Sequence, residues 1–151
     1  MFEQPLSDSS DIREAIRLAR GVSRMLSALG YGTLAEFTLN TGRRADVIGV
    51  SGSGDVVIVE IKTSEADFRS DLKWPEYLPF CDSFYFAVPE SFPQAILPEE
   101  CGLIVADAYS SVILRPSPEL PPMAGSRRKA LLLRFALTAT SRLQRLVDPE
   151  A

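Results

Sequence analysis

The run from Arg43 to Lys62 constrains this chain more than any other. It reads RRADVIGV, then SGSG, then DVVIVEIK. Two β-rich segments around a Ser/Gly turn predict an antiparallel hairpin. Asp46 stands early in the first segment, and Glu60 and Lys62 close the second, which is otherwise apolar. Charged side chains seldom lie buried without a partner, so charges finishing such a strand need an explanation. Residues two apart on a strand share a face. Glu60 and Lys62 therefore point the same way, with Val56 and Ile58 behind them and Val59 and Ile61 on the other side. Asp46 comes roughly opposite the Glu60–Lys62 end across the turn.

Two readings of that cluster stand side by side. One is a strand-end salt bridge between Glu60 and either Lys62 or Asp46. The other is chemical: two carboxylates on rigid strands suit Mg²⁺ or Mn²⁺, which take one or two carboxylates and leave positions for water and phosphate oxygens. Such a metal polarises a phosphoryl oxygen and acidifies a bound water. A lysine beside it orients that water and stabilises developing negative charge.

Composition narrows the chemistry further. The 151 residues include no histidine and two cysteines, Cys81 and Cys101, without C-x-x-C spacing. Ser-His and Cys-His nucleophiles and a histidine base are excluded, and zinc has too few ligands. Both thiols read as small buried hydrophobes. What remains is chemistry from carboxylates, Lys, Arg, hydroxyls or an oxygen-ligated metal. A net charge of −4 argues against coating nucleic acid by bulk charge, though not against a local basic surface. No apolar run is long enough to span a membrane, and residues 1–11 lack a signal-peptide core, so a cytoplasmic protein is expected. The length suits one domain over 1–151, with 1–10 as a flexible N-terminus.

Along the chain, a first helix is expected from near Asp11 to before Gly30. Ile12, Ala15, Ile16, Ala19, Val22, Leu26 and Leu29 share one face. Arg13, Arg17, Arg20 and Arg24 form a stripe opposite, either a solvated face or a phosphate-tracking edge. A short strand follows at Leu34–Leu39, containing Glu36, and then the Arg43–Lys62 hairpin completes a meander. Ser64-x-x-Asp67 predicts a capping box opening a helix that Trp74-Pro75 ends or kinks. Strands are expected at Asp82–Val88, Gly102–Asp107 and Ser110–Leu114. Residues 115–125 hold four prolines and read as a surface linker to a helix over 126–147. The basic start of that helix, Arg127-Arg128-Lys129, opposes the helix dipole. It suits either a solvated face or a phosphate-facing terminus. The order predicts an α/β (α+β) fold with a mixed sheet flanked by helices, α-β-β-β-α-β-β(-β)-α.

Asp46, a turn and Glu60-Ile61-Lys62 resemble the PD-(D/E)XK phosphodiesterase signature. Longer pieces are more specific: RRADV from Arg43, EIKTS from Glu60, DFRSD from Asp67, KWPEY from Lys73 and FCDSFYFAVP from Phe80. Together they resemble the bacterial MmcB-like DNA repair family over roughly Ile12 to Leu146. The resemblance implies a restriction-endonuclease-like core and a DNA-repair endonuclease. It implies metal ligands at Asp46, Glu60 and the backbone carbonyl of Ile61, with Lys62 orienting water. Glu36 matches the extra acid that many superfamily members carry. Arg43 and Arg44 would meet phosphate, and Arg13, Arg17, Arg20 and Arg24 would extend the track. Ala45 replaces the motif's proline, and Asp67 and Asp71 stand where some members carry glutamine. The implied partners are DNA, other repair proteins and a second copy of the chain. The superfamily also contains inactive members. A non-cutting DNA-structure or repair-complex adaptor is therefore the alternative, with Trp74, Tyr77, Phe80 and Tyr85 as contact residues instead of core. An RNA-directed nuclease is a third reading.

Overall fold

The computed structural model describes residues 9–150. Helix α1 (Ser9–Ala28) precedes the meander β1 (Tyr31–Thr38), β2 (Arg44–Ser51) and β3 (Val56–Ile61). Helix α2 (Glu65–Ser70) and a 3₁₀ helix over Trp74–Phe80 lead to β4 (Ser83–Val88). A 3₁₀ turn (Gln94–Ile96), β5 (Gly102–Ala106), β6 (Ser111–Arg115) and α3 (Gly125–Val147) complete the order. The expected α+β order holds, with its optional strand present. Most of the expected flexible segment 1–10 lies outside the described residues, and Ser9 and Ser10 already belong to α1.

The six strands form one mixed sheet in chain order, β1-β2-β3-β4-β5-β6. The β1–β2, β2–β3 and β5–β6 pairs are antiparallel, and β3–β4 and β4–β5 are parallel. β3 is central, and all of its residues are buried, Glu60 included. A strand covered on both faces reads as a continuous apolar run, which is why Val56–Ile61 shows no alternation.

Each face has its own core. On one, Leu18, Val22 and Leu26 of α1 pack on Val47, Val57, Val59, Ala87 and Ile104. Burying each of the three helix side chains is worth roughly 1.5–3 kcal/mol. On the other, Ile48, Ile58, Phe84 and Phe86 meet Tyr77 and Phe80 of the 3₁₀ helix and Leu131 of α3. Trp74 stacks on Phe84 at 5.8 Å and meets Phe86 edge-on at 5.5 Å. Tyr85 is buried on the α1 side. Of the four aromatics weighed as contact residues, Tyr77, Phe80 and Tyr85 are thus core, and Trp74 is partly buried against it.

Several sequence expectations shift. β1 starts at Tyr31 instead of Leu34. The buried side of α1 is Leu18, Gly21, Val22 and Leu26, whereas Ile12, Ile16 and Leu29 are more than half exposed. The Ser64 cap forms as expected: its hydroxyl accepts the Asp67 N–H at 3.1 Å, and the Asp67 carboxylate accepts the Thr63 N–H at 3.1 Å. The helix it opens ends earlier, at Ser70, because Asp71 turns extended. The Trp74–Phe80 segment winds as a 3₁₀ helix around Pro75 and Pro79. A proline in a helix's first turn forfeits a donor that had no partner anyway.

The proline-rich 115–125 stretch is tied to the body. The Ser117 hydroxyl accepts the Phe84 N–H at 3.0 Å, and Met123 is buried. Arg128, weighed as a phosphate contact, is committed elsewhere. Its guanidinium holds Asp82 with two bonds of 2.7 and 2.8 Å and donates to the Gly54 carbonyl at 2.9 Å. Gly54 has φ +85°, so the turn presents its carbonyl from a conformation that favours glycine. Arg127 lies over the Phe80 ring at 5.0 Å. Further along α3, Arg134 donates to the Thr38 carbonyl, and Arg142 to the carbonyls of Ala35 and Glu36. The helix thereby covers backbone acceptors of the edge strand β1. Towards its C-terminal end, Leu143 and Leu146 are exposed.

Candidate active site

The last paired residues of β2 and β3 at this end are Val47 and Val59. Beyond them, side chains replace the ladder. The Asp46 N–H donates to Glu60 Oε1 at 3.1 Å, and the Ile61 N–H donates to Asp46 Oδ2 at 2.8 Å. The Ile61 N–H faces β2, where a regular ladder would offer the Ala45 carbonyl, and the Asp46 N–H faces β1, where it would offer that of Glu36; a carboxylate takes each donor instead. The β1–β2 pairing also breaks here. It runs through Ala35–Val47 and Phe37–Ala45 but skips Glu36 and Asp46. Glu36 has φ +49°, a left-handed conformation that costs a non-glycine residue about 1–2 kcal/mol. Strain of that kind persists where surrounding structure imposes it, often beside a functional site.

Glu60 is 4% exposed and Asp46 is half-buried. Burial pushes the Glu60 carboxyl up to about 9, and the facing Asp46 charge adds to the rise. Burial also raises Asp46, against the pull of the Ile61 N–H and of Lys62. Raised to about 9, the Glu60 carboxyl keeps its proton at neutral pH unless a cation compensates the pair.

Lys62 enters from the same strand end, 5% exposed. Its backbone N–H donates to the Ala87 carbonyl at 3.0 Å, which fixes the chain, and its ammonium donates to Asp71 Oδ2 at 2.8 Å. Asp71 is itself fixed, since its other oxygen accepts the Lys73 N–H at 3.0 Å. Sequence reasoning left the role of Asp71 open. The signal was available: a buried ammonium requires an anion, and Asp71 is the acid just past the end of the short α2.

Tyr77 is a second residue that sequence reasoning did not place at the site. Its hydroxyl donates to the Arg44 carbonyl at 2.7 Å, and burial together with the Glu60 and Asp46 charges raises its pKa. Arg43 is paired with Glu76 and sits 6.0 Å from the Tyr77 ring centre. Arg44 is exposed and close enough to draw the Asp46 carboxyl down.

Two open cavities meet at Asp46 and Arg44. One, of about 780 Å³, includes Thr41, Arg43 and Tyr77. The other, of about 840 Å³, lies between α1 and β1–β3 and includes Glu36, Ile61, Arg20 and Arg24. The arginine stripe is therefore divided. Arg20 and Arg24 reach the cleft at Asp46, Arg17 lines a separate cavity by the β5–β6 turn, and Arg13 lines neither. Arg24 also donates to the Tyr109 carbonyl at 3.5 Å.

The donor set suits a hard divalent cation in the two-carboxylate manner of Mg²⁺. One oxygen of each carboxylate is engaged by a backbone N–H, and the other accepts no hydrogen bond among the described residues. Those residues contain no group of three acidic or thiol side chains arranged to hold a metal. Glu36 borders the cleft without joining Asp46 and Glu60 in such a group.

A family model described as DNA repair protein MmcB-like matches residues 2–150. A solved structure, titled SPO1766 protein of unknown function from Silicibacter pomeroyi, is 46% identical to this chain. It superposes with a TM-score of 0.88, covering 91% of this chain and 94% of that one. No curated protein matches the chain. No helix among the described residues is long and apolar enough to cross a membrane.

Proposed function

The chain belongs to the MmcB-like DNA repair family, and from that premise we propose that it is a divalent-metal-dependent DNA endonuclease on a restriction-endonuclease-like core. The observation that carries this reading is the reciprocal clasp of Asp46 and Glu60 where the β2–β3 ladder ends, with the buried Lys62 beside it. Ordinary strand pairing gives no reason to keep two facing carboxylates in a dry site at a cost in desolvation.

Asp46 and Glu60, with the Ile61 carbonyl, would hold Mg²⁺ or Mn²⁺ through oxygens that the backbone amides leave open. When bound, such an ion supplies Lewis-acid polarisation of a phosphoryl oxygen and a more acidic water. Lys62, anchored by Asp71, sets a positive charge beside the carboxylates to orient water and oppose charge developing on phosphorus. Arg44 meets the phosphate entering over Asp46, and Arg20 and Arg24 continue the contact along α1. Arg43 braces that edge through Glu76 and Tyr77. Glu36 shapes the rim, its strained backbone opening β1 away from Asp46.

The test is incubation of the full chain with nicked, flapped, mismatched and abasic DNA in Mg²⁺ or Mn²⁺. Cleavage is expected, and it should be lost in Glu60→Gln and Lys62→Ala proteins. No cleavage of any substrate, or equal cleavage by the variants, overturns the reading and leaves a non-cutting repair module.

A further inference from the structure

The cleft between α1 and the β1–β3 end has a wall that contact with duplex DNA does not explain. Ile12 and Ile16, on successive turns of α1, are 52% and 51% exposed, and Ala15 and Ala19 continue the same apolar surface. Arg20 and Arg24 flank this wall, and Asp46 stands across the cleft from it. Its volume of about 840 Å³ falls within the range of small-molecule sites.

A continuous duplex presents phosphates and the polar edges of its base pairs, because the base faces are stacked on one another. Aliphatic side chains are the wrong surface for either. An unpaired base has both faces free, and enzymes that handle one hold it between apolar side chains while cations take the adjoining phosphates. Asp46 and Arg44 border both this cleft and the Arg43–Tyr77 cavity. A strand laid across Asp46 therefore reaches an apolar slot on one side and the arginine pair Arg43–Arg44 on the other. The charge pattern matches: Arg20, Arg24 and Arg44 line the cleft with the site acids Glu36 and Asp46, and the Ile12–Ala19 wall beside them is uncharged on its cleft side.

Resting on the nuclease reading above, we infer that the α1 cleft receives an unpaired nucleotide. The preferred substrate is then DNA with a bulge, flap or gap at the site of attack, not continuous duplex. Ile12 and Ile16 supply the base-contacting surface, and Arg20 and Arg24 hold the flanking phosphates.

The experiment measures binding of the full chain, without divalent metal, to oligonucleotides carrying 2-aminopurine in a single-nucleotide bulge or in the matched duplex. Anisotropy gives affinity, and 2-aminopurine emission reports the environment of the base. Bulged DNA should bind roughly 5- to 10-fold tighter, from burial of one base face against the aliphatic wall, with a change in emission. Ile16→Asp should remove that preference and, by placing a carboxylate one turn from Arg20, also weaken duplex binding to a lesser degree, while Ile16→Val should keep both. Circular dichroism checks that the half-exposed position tolerates the charge, and Ile12→Ser provides a milder second variant. Equal affinity for the two DNAs, or a preference that survives both Ile16→Asp and Ile12→Ser, overturns the inference without touching the nuclease reading. Failure to bind any DNA, also when Ca²⁺ is added as a hard divalent cation in place of Mg²⁺, overturns both. A dimer in sedimentation that Ile16→Asp dissociates would give the cleft to a second copy of the chain and also overturn it.

Discussion

The Lys62 ammonium donates to the Asp71 carboxylate at 2.8 Å, and the lysine side chain is only 6% exposed. Removing one partner of a buried pair leaves an uncompensated charge and costs about 3–5 kcal/mol when burial is complete. Asp71→Ala strands the nearly buried Lys62 ammonium, with only the Asp46 and Glu60 carboxylates nearby, and should cost about 3 kcal/mol. Lys62→Met, which removes the charge and keeps the packing, leaves Asp71 with its own solvent contact and should cost less, about 1 kcal/mol in a urea melt, yet abolish cleavage. The double variant Lys62→Met/Asp71→Ala should recover most of the stability that Asp71→Ala loses. A strictly additive double-mutant cycle would show that the two groups do not interact.

Glu60→Gln keeps an oxygen that can accept the Asp46 N–H and fixes the side chain in the neutral form that burial already favours. Its melting temperature should equal or exceed that of the parent, while cleavage falls by roughly 100-fold or more. Mg²⁺ should stabilise the parent by about 2.7 kcal/mol at a hundred times its dissociation constant. It should not stabilise the variant. Scanning calorimetry over a Mg²⁺ series checks this independently of cutting, and equal stabilisation of both proteins would remove Glu60 from the metal site.

Asp82 links the start of β3, the Ser51–Gly54 turn and the start of α3. It accepts the Val56 N–H at 2.7 Å as well as both Arg128 bonds. The Arg128 guanidinium holds its carboxyl below the usual range. A depressed carboxylate contributes stability that is fully present above its unfolded pKa, near 3.9, and is lost as pH falls through the folded value. Stability should therefore decline below about pH 4 by an amount that Asp82→Asn no longer shows. At neutral pH that substitution should cost about 1–2 kcal/mol, the lower part of the range for charge-assisted bonds, since both side chains keep about a quarter of their exposure.

Gly21 lets α1 lie against the β5–β6 turn. A Cβ there would meet the Asp107 carbonyl oxygen at 1.9 Å and the Ser110 carbonyl oxygen at 2.8 Å. The Ser111 hydroxyl donates to the Gly21 carbonyl at 3.1 Å across the same contact. Alanine normally favours a helix over glycine by about 1 kcal/mol. Here Gly21→Ala should instead destabilise by about 1–3 kcal/mol, because backbone oxygens cannot move aside. A denaturant melt showing a gain would mean that α1 shifts freely on the sheet.

Arg134→Ala and Arg142→Ala together should uncover the Thr38, Ala35 and Glu36 carbonyls on the outer edge of β1. An exposed strand edge templates pairing with another chain. The expected outcome is concentration-dependent association by light scattering, with little change in the far-ultraviolet spectrum. A protein that stays dispersed would show that α3 shields the edge without these bonds.

Local rules made much of the chain legible. The uninterrupted Val56–Ile61 run marked a strand buried on both faces, the Ser/Gly turn marked its hairpin, and the Ser64 cap marked the start of α2. The odd charges Asp46, Glu60 and Lys62 were visible because burial penalises them wherever they fall. The MmcB-like pieces gathered those same positions into one site.

What the sequence could not determine is how those charges are compensated. Spacing on a strand brings Asp46 and Glu60 to one end of the hairpin. Only the breaks in pairing on both sides of β2, with β1 at Glu36 and with β3 beyond Val59, leave the two backbone N–H groups that the carboxylates take. The partner of Lys62 lies beyond a helix whose length periodicity overstated, and Tyr77 arrives on a 3₁₀ turn that no repeat announces. The arginines of α1 looked equivalent because helical spacing fixes only relative angle. The approach at Gly21 sets which side of the helix meets the sheet, and so which two arginines face Asp46. Local propensity acts between near neighbours, and packing across the sheet decides which charges meet.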